Sequence, residues 1–261
     1  MTALKEVLYE ATREAGKIIS DYFQGSFTVD NKEGINNLVT EVDKHSEKRI
    51  IEIIRKHYPT HSIISEEVGE MIQDSPYQWI IDPIDGTVNF AHGIPLCCVS
   101  IGLKHNEDLI LGAVYNPMMN ELFFAEKGKG AFLNDKPISV STKSDFRKAC
   151  LVTGFPYKWP DSKEHPIRVF ERFIMEGLPV RRLGSAAIDL CWVACGRFDG
   201  FWEYNLSSWD VAAGYLIVQE AGGRITNFEG DAYSVFDKET LATNGHIHEE
   251  MLRLIRKKQS L

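Results

Sequence analysis

Trp79-Ile80-Ile81-Asp82-Pro83-Ile84-Asp85-Gly86-Thr87-Val88-Asn89-Phe90 is the stretch on which the reading of this chain turns. The apolar run over 78–81 reads as a strand that leads straight into two aspartates, a glycine, a hydroxyl residue and a helix start. Pro83 fixes its own φ, so Asp82 and Asp85 are expected to flank a tight turn. Two carboxylates this close repel each other unless a cation lies between them. Hard oxygen ligands of this kind suit Mg²⁺, and a backbone carbonyl such as that of Ile84 can join them. Gly86 and Thr87 open a helix, where unsatisfied N–H groups favour a phosphate. Taken alone, the same spacing also serves as a plain loop and helix cap, so the other acids decide.

Three further acidic positions bear on the question. Ser65-Glu66-Glu67 ends the apolar run over 62–65, which puts two carboxylates at a strand terminus. Asp43 follows Leu38-Val39-Thr40 and has the spacing of a Thr40-x-x-Asp43 cap. Asp210 falls in the first turn of the helix beginning Trp209-Asp210-Val211-Ala212-Ala213-Gly214. Each has an ordinary role as solvated turn, cap or dipole partner. Their co-occurrence is the argument.

Around these motifs, the spacing of apolar residues predicts a helix over 3–24 and a second one opened by Thr40 and Asp43 and closed by Pro59. Short runs over 62–65, 78–81, 96–104, 109–115 and 121–125 read as an antiparallel meander. Past Lys143 strands and helices alternate. Strands are expected over 150–153, near Val180, and over 198–204, 223–228 and 240–243. Helices are expected over 163–175, 185–196 and 208–221, with a last one from His248. The chain therefore divides into an N-terminal α+β half, residues 1–143, with most of the acids, and a C-terminal α/β half, residues 144–261, that supplies Asp210.

Composition narrows the function further. The 261 residues are 44% hydrophobic and 25% charged, enough to bury a sizeable core without disulfides or a structural metal. With 37 acidic against 29 basic residues the formal charge is -8, which disfavours a nucleic-acid partner. No apolar stretch reaches the roughly 18 residues of a membrane span. Charged residues follow Met1 almost at once, so a secretory signal is not expected, and a cytoplasmic location is. The five cysteines, none in a C-x-x-C pair, fit buried thiols in a reducing compartment. The sequence has no Walker loop, no full dinucleotide fingerprint, no G-x-S-x-G and no H-E-x-x-H.

The run from Asp82 to Phe90 resembles the first signature of the inositol monophosphatase family, and the run from Trp209 to Gly223 resembles its second. Leu38-Val39-Thr40-Glu41-Val42-Asp43 and Ser65-Glu66-Glu67 match its two upstream elements in order, and the similarity extends over residues 5–245. The resemblance implies an α+β or α/β fold, a layered α-β-α-β-α sandwich of the sugar-phosphatase type. It also implies Mg²⁺-dependent hydrolysis of a small phosphomonoester, first of all a phosphorylated polyol such as inositol monophosphate. By motif position, Glu66, Asp82 and the carbonyl of Ile84 would hold one ion, and Asp82, Asp85 and Asp210 a second, with Glu66 reaching a third. Thr87, backed by Asp43, would orient the attacking water, while the Gly86 and Thr87 amides cradle the phosphate. Glu67 would stand behind the ligands. Glu203, Gly184, Ser185, Ala186 and Asp210 would contact the substrate, with Arg182 beside them and Lys32 on a loop over the metals.

Family members are commonly lithium-sensitive homodimers, and both features carry over as expectations. Alternative substrates are fructose 1,6-bisphosphate, NADP, 3′-phosphoadenosine 5′-phosphate and histidinol phosphate. The alternative of another class is a non-catalytic metal-binding regulatory scaffold. Every acid named above is present, so nothing marks the site as dead.

Overall fold

Apolar residues three and four apart give the first helix, α1 (Thr2–Tyr22), one buried stripe of Val7, Leu8, Ala11, Ala15 and Ile19. A short antiparallel pair follows, β1 (Val29–Asn31) and β2 (Leu38–Thr40). The helix α2 (Glu41–His57) then starts at a capping box formed by Thr40 and Asp43 and ends just short of Pro59. The computed structural model describes residues 2–31, 38–157, 159 and 165–257. The position Lys32 lies outside the described residues.

The next strands are β3 (Ser62–Ser65), β4 (Gly69–Met71) and β5 (Tyr77–Asp85). After the short helix α3 (Thr87–Ala91) come β6 (Cys98–His105), β7 (Asp108–Asn116), β8 (Glu121–Glu126), β9 (Gly130–Leu133) and β10 (Lys136–Ile138). They form one eight-stranded sheet in the order β10-β9-β8-β7-β6-β5-β3-β4. The second half adds β11 (Leu151–Thr153), α4 (Pro166–Met175), β12 (Val180–Arg181), α5 (Ala186–Ala194) and β13 (Gly200–Tyr204). It closes with α6 (Ser208–Glu220), β14 (Arg224–Thr226), β15 (Glu239–Thr243) and α7 (His248–Arg256). Its five strands pair in the order β12-β11-β13-β15-β14.

The period of two along each strand sorts side chains between layers. Trp79, Ile81, Val99, Ile101, Leu103, Leu111 and Ala113 pack on α1 and α2, whereas Ile80, Cys98 and Val114 pack on α5 and α6. The smaller sheet does the same. Val152, Phe201 and Ala242 face α5 and α6, while Leu151, Trp202 and Leu241 face the α4 and α7 side. Helices therefore cover both faces of both sheets, which is the expected α-β-α-β-α layering. Coverage on both faces explains why the central strands read as unbroken apolar runs. The helix α6 lies close on the large sheet. A Cβ at Gly102 of β6 would stand 2.9 Å from that of Ala212, and one at Gly112 of β7 would stand 3.0 Å from the Ala213 carbonyl.

Two local expectations are corrected. The strands are not all antiparallel, because β3 runs parallel to β5 with Ser62 opposite Gln78 and Ser65 opposite Ile81. Asp82 and Asp85 do not flank a tight turn either. Both lie within β5, where Asp82 pairs with Ser100 and Asp85 with Cys98, so three steps on one strand oppose two on the other. That extra residue is a β-bulge, a place where proline is tolerated inside a sheet.

Candidate active site

The bulge re-aims the end of β5 and brings both its aspartates to one spot. Asp82 Oδ1 accepts from the Ile84 N–H at 3.0 Å, closing the bulge on itself. Asp85 reaches across to the start of α5, where Oδ2 accepts from Ser185 Oγ at 2.6 Å and the Ala187 N–H at 2.7 Å. Asp210, in the first turn of α6, is oriented by the Ser207 N–H at 2.7 Å from its Oδ2. The Ser100 hydroxyl, opposite Asp82 in the sheet, donates to the Trp209 carbonyl at 3.4 Å and ties that turn to β6. As a result, carboxylate oxygens of Asp82, Asp85 and Asp210 all lie within 4.8 Å of one another.

Glu66 sits just past β3, with its N–H on the Ile81 carbonyl at 3.2 Å and its carboxyl hydrogen-bonded to Asp82. Asp43 is buried behind Thr87. Its Oδ2 accepts from the Thr40 N–H at 2.8 Å and Thr40 Oγ1 at 2.6 Å, and its Oδ1 faces Thr87 Oγ1 at 3.1 Å. Thr87 Oγ1 is also 2.9 Å from the Ile84 carbonyl. Gly86, which precedes α3, has φ of 88°, and a Cβ there would stand 2.8 Å from the Leu96 carbonyl, so only glycine fits.

Electrostatics follow from this crowding. Burial, then the neighbouring Glu66, Asp85 and Asp210, hold the Asp82 carboxyl well above the ordinary carboxylate range. Asp210 is raised in the same way, by burial and then by Asp85 and Glu66. Asp85 rises only to about 6, because the donors on Ser185 and Ala187 favour its charged form against burial. Glu203 of β13 is pushed up to about 8 by burial, Asp210 and Asp85, with Arg182 opposing. Acids held this close in a buried place fit a hard divalent cation, which would relieve the repulsion that raises them. The donor set is all oxygen, as Mg²⁺ requires.

These groups line one cavity of about 280 Å³. Glu66, Asp82, Ile84, Asp85, Gly86, Thr87, Arg182, Gly184, Ser185, Ala186, Glu203 and Asp210 all reach it. Ser185 gives its hydroxyl to Asp85. Glu67 is not among the lining residues, and its N–H turns instead to Glu47. Sequence reasoning missed Gly154 and Asp189. Gly154 leaves room for the Glu203 carboxylate. Asp189 of α5 is 1% exposed, with no partner for Oδ1 among the described residues and its carboxyl raised by burial and Glu203. Its neighbours Ile188 and Leu190 make it read as an N-terminal helix acid, and nothing local signals its burial.

A family model described as the inositol monophosphatase family matches residues 1–260. The inositol-1-monophosphatase of Synechocystis is 44% identical over 250 residues, 94% of this chain and 86% of that one. The Nus factor SuhB of Haemophilus influenzae is 42% identical over 258 residues, 98% of this chain and 97% of that one. The crystal structure of the extragenic suppressor protein suhB from Bartonella henselae superposes with a TM-score of 0.92 at 38% identity, covering 98% of this chain and all of that one. On the match along its whole length and on these relatives, the chain belongs to the inositol monophosphatase family.

Proposed function

We propose that this protein hydrolyses a small phosphomonoester, myo-inositol monophosphate foremost, with two or three Mg²⁺ ions held by Glu66, Asp82, the Ile84 carbonyl, Asp85 and Asp210. The observation that carries the reading is the triad of carboxylates from β5 and α6, two of them buried and Asp210 partly so, all within 4.8 Å. Mg²⁺ bound there supplies the positive charge that acidifies a nearby water and draws electron density from the phosphoryl group. Asp43 accepts the single proton of Thr87 Oγ1, which leaves that oxygen an acceptor to orient the attacking water. The Gly86 and Thr87 amides take the phosphate oxygens.

Glu203, buried beside the acids, meets a hydroxyl of the leaving alcohol, and Arg182, Gly184, Ser185 and Ala186 complete that wall. A site built to bond hydroxyls discriminates polyol phosphates from featureless esters. In this reading, the N-terminal half carries most of the ligands, and the half that follows residue 143 brings Asp210 and the substrate contacts. The name of the Synechocystis relative favours inositol 1-phosphate over fructose 1,6-bisphosphate or NADP. The name of the Haemophilus relative, a Nus factor, supports a second reading in which the protein also acts by binding a partner. Lithium inhibition, a homodimer and a cytoplasmic location belong to the same proposal. No helix among the described residues is long and apolar enough to cross a membrane.

The test is phosphate release from inositol 1-phosphate, fructose 1,6-bisphosphate, NADP and 3′-phosphoadenosine 5′-phosphate, with Mg²⁺ and with EDTA. Release that needs Mg²⁺ and favours inositol 1-phosphate is expected. Another preferred ester would replace the substrate, and no release with Mg²⁺ bound would leave the binding reading.

A further inference from the structure

The face that α2 turns inward is apolar along its later turns, at Ile50, Ile53 and Ile54, but polar near its start. There Asp43, Ser46 and Glu47, spaced i, i+3 and i+4, share one side of the helix and are 0%, 0% and 2% exposed. Each reaches a different segment of the site. Asp43 takes Thr87, as described. Ser46 Oγ donates to the Pro83 carbonyl at 3.0 Å, the bulge residue between Asp82 and Asp85. A single oxygen of Glu47, Oε1, accepts from the Ser65 hydroxyl, from the Glu67 N–H at 3.0 Å and from the Val68 N–H at 3.1 Å. The turn over 65–68 is thus folded around that oxygen, and Glu66 rides on it between two of the donors.

A buried carboxylate is costly unless its oxygens are bonded, and an apolar residue of similar size could fill the space between helix and turn more cheaply. What an apolar residue cannot do is fix three donors at one point. Charge-assisted bonds to an acid do so with strong directional preference. Resting on the proposed Mg²⁺ site, we propose that Glu47 is a positioning residue for Glu66, and that with Ser46 it sets from α2 the spacing of the acids that hold the ions. Glu47 touches neither substrate nor metal; it acts through the turn.

The experiment compares wild type, Glu47→Ala, Glu47→Gln and Asp199→Asn. Asp199 is an equally buried acid in the second half that accepts from Lys143 Nζ and the Cys150 N–H, so its variant controls for lost stability alone. Mg²⁺ affinity is measured by calorimetry, and amide exchange over 65–68 is followed in metal-free protein. Loss of such a supporting bond typically weakens a metal site 10- to 100-fold, the range expected for Glu47→Ala, with loss of protection at Glu67 and Val68. Glu47→Gln keeps the accepting oxygen and should stay within about threefold of wild type, with protection retained. Asp199→Asn should lower the thermal midpoint yet bind Mg²⁺ within about twofold. The proposal is overturned if Glu47→Ala binds Mg²⁺ as tightly as wild type, or if Glu47→Gln falls as far as Glu47→Ala. Should wild type take up no Mg²⁺, the proposed function fails, and the exchange measurement alone then decides whether Glu47 holds the turn.

Discussion

Thr87 Oγ1 and Asp43 Oδ1 lie 3.1 Å apart although 44 positions separate them in the chain. A hydroxyl has one proton, and the Ile84 carbonyl at 2.9 Å competes for it. Asp43 enters that competition with its other oxygen already bonded twice to Thr40. Asp43→Asn and Thr87→Val should each lower kcat by about 10²–10⁴-fold with little change in KM, as loss of a positioned proton acceptor does. Because the pair acts as one unit, the double variant should be no slower than the worse single one. Multiplicative losses in steady-state assays would refute the shared role.

Asp85 presents one oxygen to Ser185 and Ala187 and belongs to the acidic triad. An amide in its place keeps an acceptor for those donors but turns an NH₂ group toward Asp82 and Asp210. Asp85→Asn should weaken Mg²⁺ at least about a hundredfold and abolish measurable turnover. Calorimetric titration decides it, and wild-type affinity in this variant would remove Asp85 from the ligand set.

Burial lifts Asp85 from its ordinary 3.8 to about 6 and Glu203 from 4.5 to about 8. The folded, metal-free protein thus keeps protons that the unfolded chain has released near pH 4. Its stability is fully present below that pH and drains away as pH rises, from about 4 to 6 for Asp85 and on to about 8 for Glu203. Mg²⁺ at the proposed site would displace the protons of Asp82, Asp85 and Asp210, so its affinity should strengthen as pH rises. Melting curves from pH 4 to 9, with EDTA and with Mg²⁺, should diverge as pH rises. A metal-free midpoint that climbs from pH 6 to 8 would contradict the burial of these acids.

A methyl group at Gly154 would land on the Glu203 carboxylate. Gly154→Ala should therefore displace Glu203 and lower the preference in kcat/KM for inositol 1-phosphate over a simple alkyl phosphate by about tenfold. An unchanged preference would show that Glu203 does not read the substrate.

Much of this site was legible because its components are local. Thr40 and Asp43 form the capping box that their spacing spells out, and Asp210 stands in the first turn where its motif puts it. The two sheets of the layered fold follow from apolar runs too continuous for a surface strand. What stayed hidden depends on distant partners. The bulge between Asp82 and Asp85 exists only in register with Cys98 and Ser100. The parallel pairing of β3 with β5 is invisible in short runs that fit either direction. Ser46 and Glu47 look like a solvated helix face until the Glu66 turn packs on them, and Asp189 looks like a helix-start acid until burial strips its water.

The bare glycines beneath α6 have one more consequence. Asp210 rides on that helix while Asp82 and Asp85 belong to the sheet below, so the gap between the two layers would also be the width of the proposed ion's seat. Mg²⁺ wants oxygen ligands at about 2.0–2.1 Å and Ca²⁺ at about 2.3–2.6 Å. The methyl groups that Gly102 and Gly112 lack would then act as a gauge of ionic radius. A single alanine at Gly112 should wedge the layers apart and tilt the protein's choice from the smaller ion toward the larger, without altering any residue that touches either.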